Sequence, residues 1–195
     1  DDDYPLIIKV ASLPGTRMQV YFLDNDEFFK RKQLFENADG EFFEDNLDRT
    51  FFFCKGVVET VKKFGWAPDI VHAHGWMTSL LPALLKTTYC NEPIFQNAQV
   101  IYSAYDAAAA NAAFAEHFEA KATNNGLGDV MSAFYHNDKL NVNVGASKFS
   151  EGTIIGSANL DQNGLAAPIL EYQEDLSNSY LEFYESVLGA TEENA

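Results

Sequence analysis

Two histidines at alternate positions are the residues of this chain best placed to do chemistry. His72 and His74 lie in the stretch PDIVHAHGWMTSLLP, which spans residues 68–82. Residues 70–73 are uncharged and begin with two β-branched side chains, which is typical of a buried central strand in a parallel sheet. Because side chains alternate along a strand, both imidazoles are predicted to lie on the same face.

The residues after this strand predict a turn and then a helix. Gly75 permits the turn, and Thr78 can open a helix with an apolar side. That side would carry Leu80, Leu81, Leu84 and Leu85. Polar side chains at the carboxyl end of a buried strand, directly before a helix, lie where α/β folds bind ligands. We therefore expect the two histidines at the edge of a ligand-binding cleft.

The composition excludes several classes of partner. The chain has 195 residues, about one domain, and 47% of them are hydrophobic, which is enough for a substantial core. Its net charge of −16 repels phosphate backbones, so no nucleic-acid partner is expected. Cys54 and Cys90 lack metal-ligand spacing, so no metal site is predicted and a reducing cytoplasm is indicated. No apolar run has the length of a membrane span and no signal peptide is recognised, which favours a cytoplasmic protein without a membrane partner.

The first part of the chain predicts a hairpin and a long helix. Two apolar runs, residues 6–11 and 18–23, flank a Pro-Gly pair and predict a β-hairpin. Apolar residues then recur at helical spacing. They are Leu47, Phe51, Cys54, Val58 and Val61. Asp45 or Asn46 is placed to cap the start of this helix, and Gly65 to end it.

The remaining elements complete a sheet between layers of helices. Residues 99–103 and 152–157 predict two further parallel strands, and the alanine-rich residues 107–122 predict one helix. A terminal helix is expected to begin at Asp175 or Ser177 and to end at Gly189. Its apolar face would be formed by Leu176, Tyr180, Phe183 and Val187. We find no internal repeat and expect a single domain over residues 1–195.

Four ordered segments resemble one family of enzymes. PDIVHAHGW resembles the PDIVHxHDWHT signature of bacterial glycogen and plant starch synthases. VYFLDNDEFF at residues 20–29 is similar to the family's VYFLDNExYF segment, and GEFFEDNLDRTFFFCKGVVE at residues 40–59 is similar to GxxYxDNxxRFxxFSxAALE. EGTIIGSANL at residues 151–160 is similar to a late strand, DxVxTVSxxY.

The resemblance implies a fold and an activity. The family consists of GT-B retaining glucosyltransferases, in which two Rossmann-like halves face each other across a cleft. The expected fold is therefore α/β: a three-layer α/β/α Rossmann-like domain, the amino-terminal half of such an enzyme, with a β-hairpin near its start. The implied reaction is retaining transfer of glucose from a nucleotide-glucose donor to an α-1,4-glucan, with the donor as a substrate and no cofactor. A neutral glucan acceptor is not repelled by this acidic chain.

The resemblance also implies roles for particular residues. An oxocarbenium-like transition state needs oriented hydrogen bonds and negative charge around the sugar ring, and a histidine at a strand end can offer a ring nitrogen or its carbonyl. We expect His74 to be catalytic, with His72, Asp45 and Trp76 in substrate binding. The alternatives are that His72 packs in the core, that His74 caps a turn and that Asp45 caps its helix. The only basic cluster, residues 30–32, either balances nearby acidic side chains or contacts a phosphate or a glucan.

The chain departs from the family pattern in several places. Gly75 and Met77 replace an Asp and a His of the signature, and Tyr105 and Asp106 stand where the family has His and Asn. The family's KxGGL loop and its nucleotide-binding carboxy-terminal half have no counterpart in the sequence. Because positioning between two halves supplies on the order of 7–11 kcal/mol, this chain is expected to be incomplete or inactive alone.

Two hypotheses follow from these departures. The chain is the amino-terminal, catalytic-type domain of a glycogen or starch synthase, either cut from a longer chain or shortened in evolution, and its expected partner is a second copy in a homo-oligomer or the missing carboxy-terminal half. Alternatively, it is a non-catalytic relative that binds a glucan, a nucleotide or a protein partner.

Overall fold

A computed structural model describes residues 4–166, 168–174 and 177–192 of the chain. Its strands are β1 (Ile7–Ser12), β2 (Gln19–Asp24), β3 (Ile70–His74), β4 (Gln99–Ala104), β5 (Tyr135–His136), β6 (Lys139–Leu140), β7 (Gly152–Ile155) and β8 (Ile169–Leu170). Its α-helices are α1 (Asp26–Phe29), α2 (Asn46–Phe64), α3 (Leu81–Lys86), α4 (Ala108–Phe114), α5 (Phe118–Asn124), α6 (Val142–Lys148) and α7 (Ser177–Glu192). Short 3-10 turns span Trp76–Thr78, Pro93–Phe95 and Gly128–Phe134.

A parallel sheet forms the middle layer, with its four strands in the spatial order β3-β4-β7-β8. Alternate residues of β4 face different layers, as the period of a strand requires. Val100 and Tyr102 belong to the main core with α2, α3 and α6, whereas Ile101 packs with Phe183 and Val187 of α7. Helices therefore cover both faces, which confirms the predicted three-layer α/β/α domain.

The position predicted for β3 was wrong, since this strand lies at an edge of the described sheet and β4 and β7 are interior. The strand is uncharged for a reason other than a central position in the sheet. Ile70 packs toward α7 on one face, and Ala73 is buried in the main core on the other. An uncharged strand thus indicates that both faces are covered and does not reveal how many strands flank it.

The structure at the start of the chain agrees closely with the elements predicted from the sequence. Strands β1 and β2 pair antiparallel, and the amide of Thr16 donates to the carbonyl of Leu13 at 3.2 Å across a turn in which Gly15 has φ +75°. Helix α2 ends where Gly65 adopts φ +70° and donates its amide to the carbonyl of Val61 at 3.0 Å. Both turns use the left-handed backbone region that glycine tolerates.

Three helix predictions differ from the structure. The helix after β3 does not open at Thr78, which ends a 3-10 turn, but begins at Leu81. The alanine-rich segment forms two helices, α4 and α5, and both of its large anchors, Phe114 and Phe118, are buried in the core. The terminal helix α7 does not stop at Gly189 but continues to Glu192. Its predicted contact residue Leu176 lies outside the described residues.

A small hairpin and a helix between residues 130 and 150 had no counterpart in the sequence analysis. The hairpin pairs β5 with β6 through Asn137 and Asp138, which both have positive φ. Helix α6 then begins after Asn141, whose side chain accepts hydrogen bonds from the amides of Asn143 and Val144. This is an N-cap, and it helps to direct α6 under the sheet.

Gly145 provides a test of the packing between α6 and the rest of the core. A β-carbon at this position would overlap the ring of Phe134, which is fully buried. We expect Gly145→Ala to lower the free energy of unfolding by about 1–3 kcal/mol in urea denaturation. The matched control is Gly189→Ala in α7, where an added β-carbon meets no neighbour within 4 Å. The free energy of unfolding of this control should rise by about 0.5–1 kcal/mol, because alanine has a higher helix propensity than glycine. Equal changes in the free energy of unfolding at both sites would contradict the described packing.

Candidate active site

The carboxyl ends of β3 and β4 bring two histidines and a serine together. The rings of His72 and His74 lie 3.9 Å apart between centroids and are inclined by 31°, which confirms that they share a face. The Nε2 atom of His72 lies 2.7 Å from the hydroxyl of Ser103 on the neighbouring strand. The Nδ1 atom of His72 is hydrogen-bonded to the hydroxyl of Tyr184. Both ring nitrogens of His72 are therefore engaged.

Helix α7 contributes a wall of tyrosines to this edge. The ring centroids of Tyr180 and Tyr184 lie 5.5 and 5.6 Å from that of His72. Burial, and secondarily the neighbouring Tyr180, raises the pKa of Tyr105, which follows β4 and whose ring centroid lies 6.4 Å from that of His74. The sequence analysis placed Tyr180 only on an apolar helix face and did not identify Tyr184. Their spacing of four residues in a predicted helix was the signal that they project together.

Desolvation favours the neutral form of both imidazoles, although only His72 is half-buried and His74 keeps an exposed side chain. Desolvation, and secondarily the nearby His74, lowers the pKa of His72 from 6.5 to about 3. Desolvation also lowers the pKa of His74. The two residues differ in access, because His72 is half-buried between Ser103 and Tyr184, whereas His74 is exposed. His74 is thus the imidazole that can meet a ligand, as a neutral hydrogen-bonding group.

The turn after β3 positions the next predicted residue, Trp76. Gly75 has φ +72° and donates its amide to the carbonyl of Ser103 at 3.0 Å, which continues the pairing of β3 with β4. The Trp76 ring is half-buried and packs 4.5 Å from Phe35 and 5.1 Å from Phe42, between centroids. This contact anchors the turn, and a role for Trp76 in substrate binding stays a prediction.

Asp45 is placed differently from the histidines. It flanks the start of α2, but its side chain makes no cap hydrogen bond to that helix. Its carboxylate instead accepts hydrogen bonds from both terminal nitrogens of Arg31, one of them at 2.7 Å, and this contact raises the pKa of Arg31. Lys30 pairs likewise with Asp26 at 2.9 Å. These contacts favour the interpretation that the basic cluster balances nearby acidic side chains, and substrate binding by Asp45 stays a prediction.

A pocket of about 540 Å³, with both polar and apolar side chains in its lining, opens where β4 and β7 end. Its lining includes Asp106 after β4, Asn159 and Asp161 after β7, and the buried Asn143 of α6. The amide oxygen of Asn143 accepts a hydrogen bond from the Tyr102 hydroxyl at 2.6 Å, and its nitrogen donates to the Tyr105 carbonyl at 2.8 Å. Amide and carboxylate groups of this kind can exchange hydrogen bonds with the hydroxyls of a ligand.

The described residues include neither a metal site nor a membrane span. No group of three or more His, Cys, Asp or Glu side chains among them could hold a metal ion. In the same part of the chain, no helix combines the length and the apolar character needed to cross a bilayer.

Comparison with known proteins identifies the family. The sequence pattern of the starch synthase catalytic domain matches residues 2–163. This chain belongs to that family. A segment of 102 residues of this chain is 39% identical to the glycogen synthase of Chlorobium limicola. A segment of the same length is 38% identical to the glycogen synthase of Pelodictyon phaeoclathratiforme. Each match covers 52% of this chain and 21% of the relative, so the chain spans about a fifth of the length of these synthases in the aligned part.

A solved structure confirms the fold. The catalytic domain of starch synthase IV from Arabidopsis thaliana, bound to ADP and acarbose, superposes with a TM-score of 0.59 at 20% identity. The match covers 94% of this chain and 36% of the starch synthase chain. Helix α7 lies after the last residue, 163, that the family pattern matches, so its tyrosines add to the histidine edge from outside the matched segment.

The neutral state of His72 predicts a pH dependence of stability. The pKa of His72 is about 3 in the folded chain and close to the ordinary histidine value of 6.5 once unfolded, so the unfolded chain binds the extra proton as the pH falls through this range. The free energy of unfolding should therefore decrease from about pH 6.5 toward pH 3, by at most about 1.4 kcal/mol per pH unit from this residue.

Urea denaturation at several pH values would measure this effect. We expect His72→Gln to show a shallower pH slope than the parent chain, whereas the exposed control His117→Gln should keep the parent slope. Parallel slopes in all three proteins would show that His72 titrates normally in the folded state.

Proposed function

We propose that this chain is the amino-terminal part of a glucosyltransferase of the glycogen and starch synthase type. The complete enzyme would transfer glucose, with retention, from a nucleotide-glucose donor to an α-1,4-glucan. The observation that carries the proposal is the stacked pair His72 and His74, within the family's own motif at the carboxyl end of β3. A pocket lined by side-chain amides and carboxylates opens at the carboxyl ends of β4 and β7 in the same parallel sheet.

The two histidines would have different tasks. His72 is held between Ser103 and Tyr184 and supports the ring of His74, which stacks on it and is exposed. His74 would then offer a neutral hydrogen-bonding group to the donor sugar. A neutral imidazole suits an oxocarbenium-like transition state better than a cation, because a second positive charge would oppose the one that develops on the sugar ring.

The remaining predicted residues would act around this pair. Trp76 would hold the turn that carries His74 in place, and Asp45 would contribute to substrate binding from the start of α2. The donor is a substrate, so the proposal requires no cofactor. We also propose that the protein acts in the cytoplasm, where nucleotide sugars are used.

The chain is proposed to be incomplete by itself. It matches only about a fifth of the length of the related glycogen synthases, and its net charge of −16 gives a donor pyrophosphate no favourable general field. A carboxy-terminal half, or a second copy of this chain, would have to close the cleft and hold the phosphates. Without that partner, the positioning that lowers the barrier is lost.

The first test measures transfer and binding together. The purified chain should transfer no labelled glucose from ADP-glucose or UDP-glucose to glycogen, because the donor side of the cleft is missing. It should nevertheless co-sediment with glycogen. Transfer by the chain alone would contradict its incompleteness, and a folded chain that shows neither transfer nor binding would contradict the glucan proposal.

The second test addresses His74 with acarbose, the ligand named for the starch synthase IV structure. His74→Ala should weaken acarbose binding by about three- to tenfold in isothermal titration calorimetry, which is the value of one neutral hydrogen bond. The control His117→Ala removes an exposed imidazole elsewhere in the chain and should bind like the parent. Equal affinities for all three proteins would remove His74 from the binding site.

A further inference from the structure

Two Asn-Gly pairs occur in the sequence, at residues 125–126 and 163–164. Asparagine before glycine is especially prone to deamidation, because the glycine amide can reach the neighbouring side chain without hindrance from a β-carbon. Both pairs carry the same reacting groups. A large difference in their reactivity therefore has to come from what the fold places around each of them.

The pair Asn163-Gly164 lies at the tip of an exposed turn. The amide of Leu165 donates to the carbonyl of Gln162 at 3.1 Å and closes this turn, in which Gly164 has φ +84°. Leu165 fixes one end of the turn, because it packs against the main core. The tip projects into solvent, since Asn163 and Gly164 are both exposed.

The reacting groups of this pair are weakly restrained. The side-chain nitrogen of Asn163 donates to the carboxylate of Asp161 at 2.7 Å. Both residues are exposed, so water can replace this hydrogen bond at little cost. Within the part of the chain that the structure describes, the amide of Gly164 donates no hydrogen bond. Its nitrogen is therefore not held away from the Asn163 side chain by a bond of its own.

The pair Asn125-Gly126 is held firmly at the end of α5. The side-chain oxygen of Asn125 accepts a hydrogen bond from Lys55 at 2.8 Å, and the side-chain nitrogen donates to the carbonyl of Lys121 at 2.8 Å. The amide of Gly126 donates to the carbonyl of Thr123 at 3.3 Å. Attack by the Gly126 nitrogen requires these bonds to break together, which opposes the reaction.

Packing around the glycines does not distinguish the two sites. A β-carbon at Gly164 would lie 2.5 Å from the Nδ1 atom of His136, and one at Gly126 would lie 2.8 Å from the hydroxyl of Thr88. Each glycine therefore has one close side-chain neighbour. The two sites differ in the hydrogen bonds that hold the reacting groups, and this difference favours reaction at position 163.

We propose that Asn163 is a site of spontaneous deamidation and that the fold protects Asn125 from the same reaction. The Gly164 nitrogen attacks Cγ of Asn163 and forms a bond to it. The Cγ–Nδ2 bond then breaks, and the proton from the Gly164 amide leaves with that nitrogen as ammonia. Water opens the resulting cyclic imide at either carbonyl, which yields aspartate or isoaspartate at position 163. The reaction consumes water, releases ammonia and needs no oxidant or reductant.

The product places a new carboxylate close to the candidate active site. Asp161, the hydrogen-bond partner of Asn163, lines the pocket at the carboxyl ends of β4 and β7. After deamidation, the side chain at position 163 repels this carboxylate instead of donating to it. The inference does not depend on the proposed function, because a covalent change is measured without any ligand.

Peptide mass spectrometry of the purified chain, kept in warm and mildly alkaline buffer, tests the proposal. Digestion after glutamate puts the two sites on separate peptides, residues 120–151 with Asn125 and residues 152–171 with Asn163. Asn163 should be converted to the acid at least about tenfold faster than Asn125, which is the effect of one or two hydrogen bonds at the protected site. Equal rates at both sites of the folded chain, or a faster rate at Asn125, would overturn the proposal.

A denatured sample and one variant complete the experiment. In guanidinium chloride, the two rates should agree within about threefold, because the protecting contacts are lost. A tenfold difference that persists there would overturn the proposal, since the fold would not be its cause. Lys55→Met removes the bond to the Asn125 side-chain oxygen and should raise the rate at Asn125 by about three- to tenfold, with no change at Asn163. A folded Lys55→Met chain with the parent rate at Asn125 would contradict the proposed protection.

Discussion

The parallel pairing of β3 with β4 is the constraint on which the candidate site depends. The register runs from Ile70 opposite Gln99 to His74 opposite Ser103, and the amide of Gly75 extends it by one more hydrogen bond to Ser103. This pairing puts the ends of both strands at one edge and places the Ser103 hydroxyl beside His72. A shift of one residue would turn both histidines to the opposite layer and leave His72 without that partner.

Helix α7 decides how the two histidines differ. It packs on the sheet through Phe183 and Val187, and its tyrosine hydroxyls reach the histidine edge from the same side. The result is a half-buried imidazole with both nitrogens bonded and an exposed imidazole stacked on it. Since α7 follows the segment that matches the family, the site combines a family motif with a local cover from the rest of this chain.

The charge of the chain gives a common character to two cavities, one along α2 and one at the carboxyl ends of β4 and β7. The net charge is −16, yet Asp45, Asp48 and Glu59 of the cavity along α2 are bound by arginine or lysine. Both cavities then present side-chain amides, carboxylates and aromatic or backbone surfaces rather than free basic groups. Such surfaces suit neutral ligands rich in hydroxyl groups better than they suit phosphate groups.

Much of the fold and part of the site could be predicted from short segments. The hairpin, the bounds of α2, the glycine turns and the shared face of His72 and His74 all follow from patterns within a few residues, because backbone period and glycine geometry are local properties. The same segments carry the family resemblance, which the matched residues 2–163 confirm.

Contacts between distant segments decided the rest. The edge position of β3, the break between α4 and α5 and the pairing of Asp45 with Arg31 depend on how the elements pack, and local sequence does not encode that packing. Tyr184 lies 112 residues from His72 along the chain, so no spacing rule could connect them. The sequence by itself thus determined which residues form strands, helices and the histidine motif. Only the tertiary structure decided which histidine is exposed, because exposure depends on the side chains that other layers bring to it.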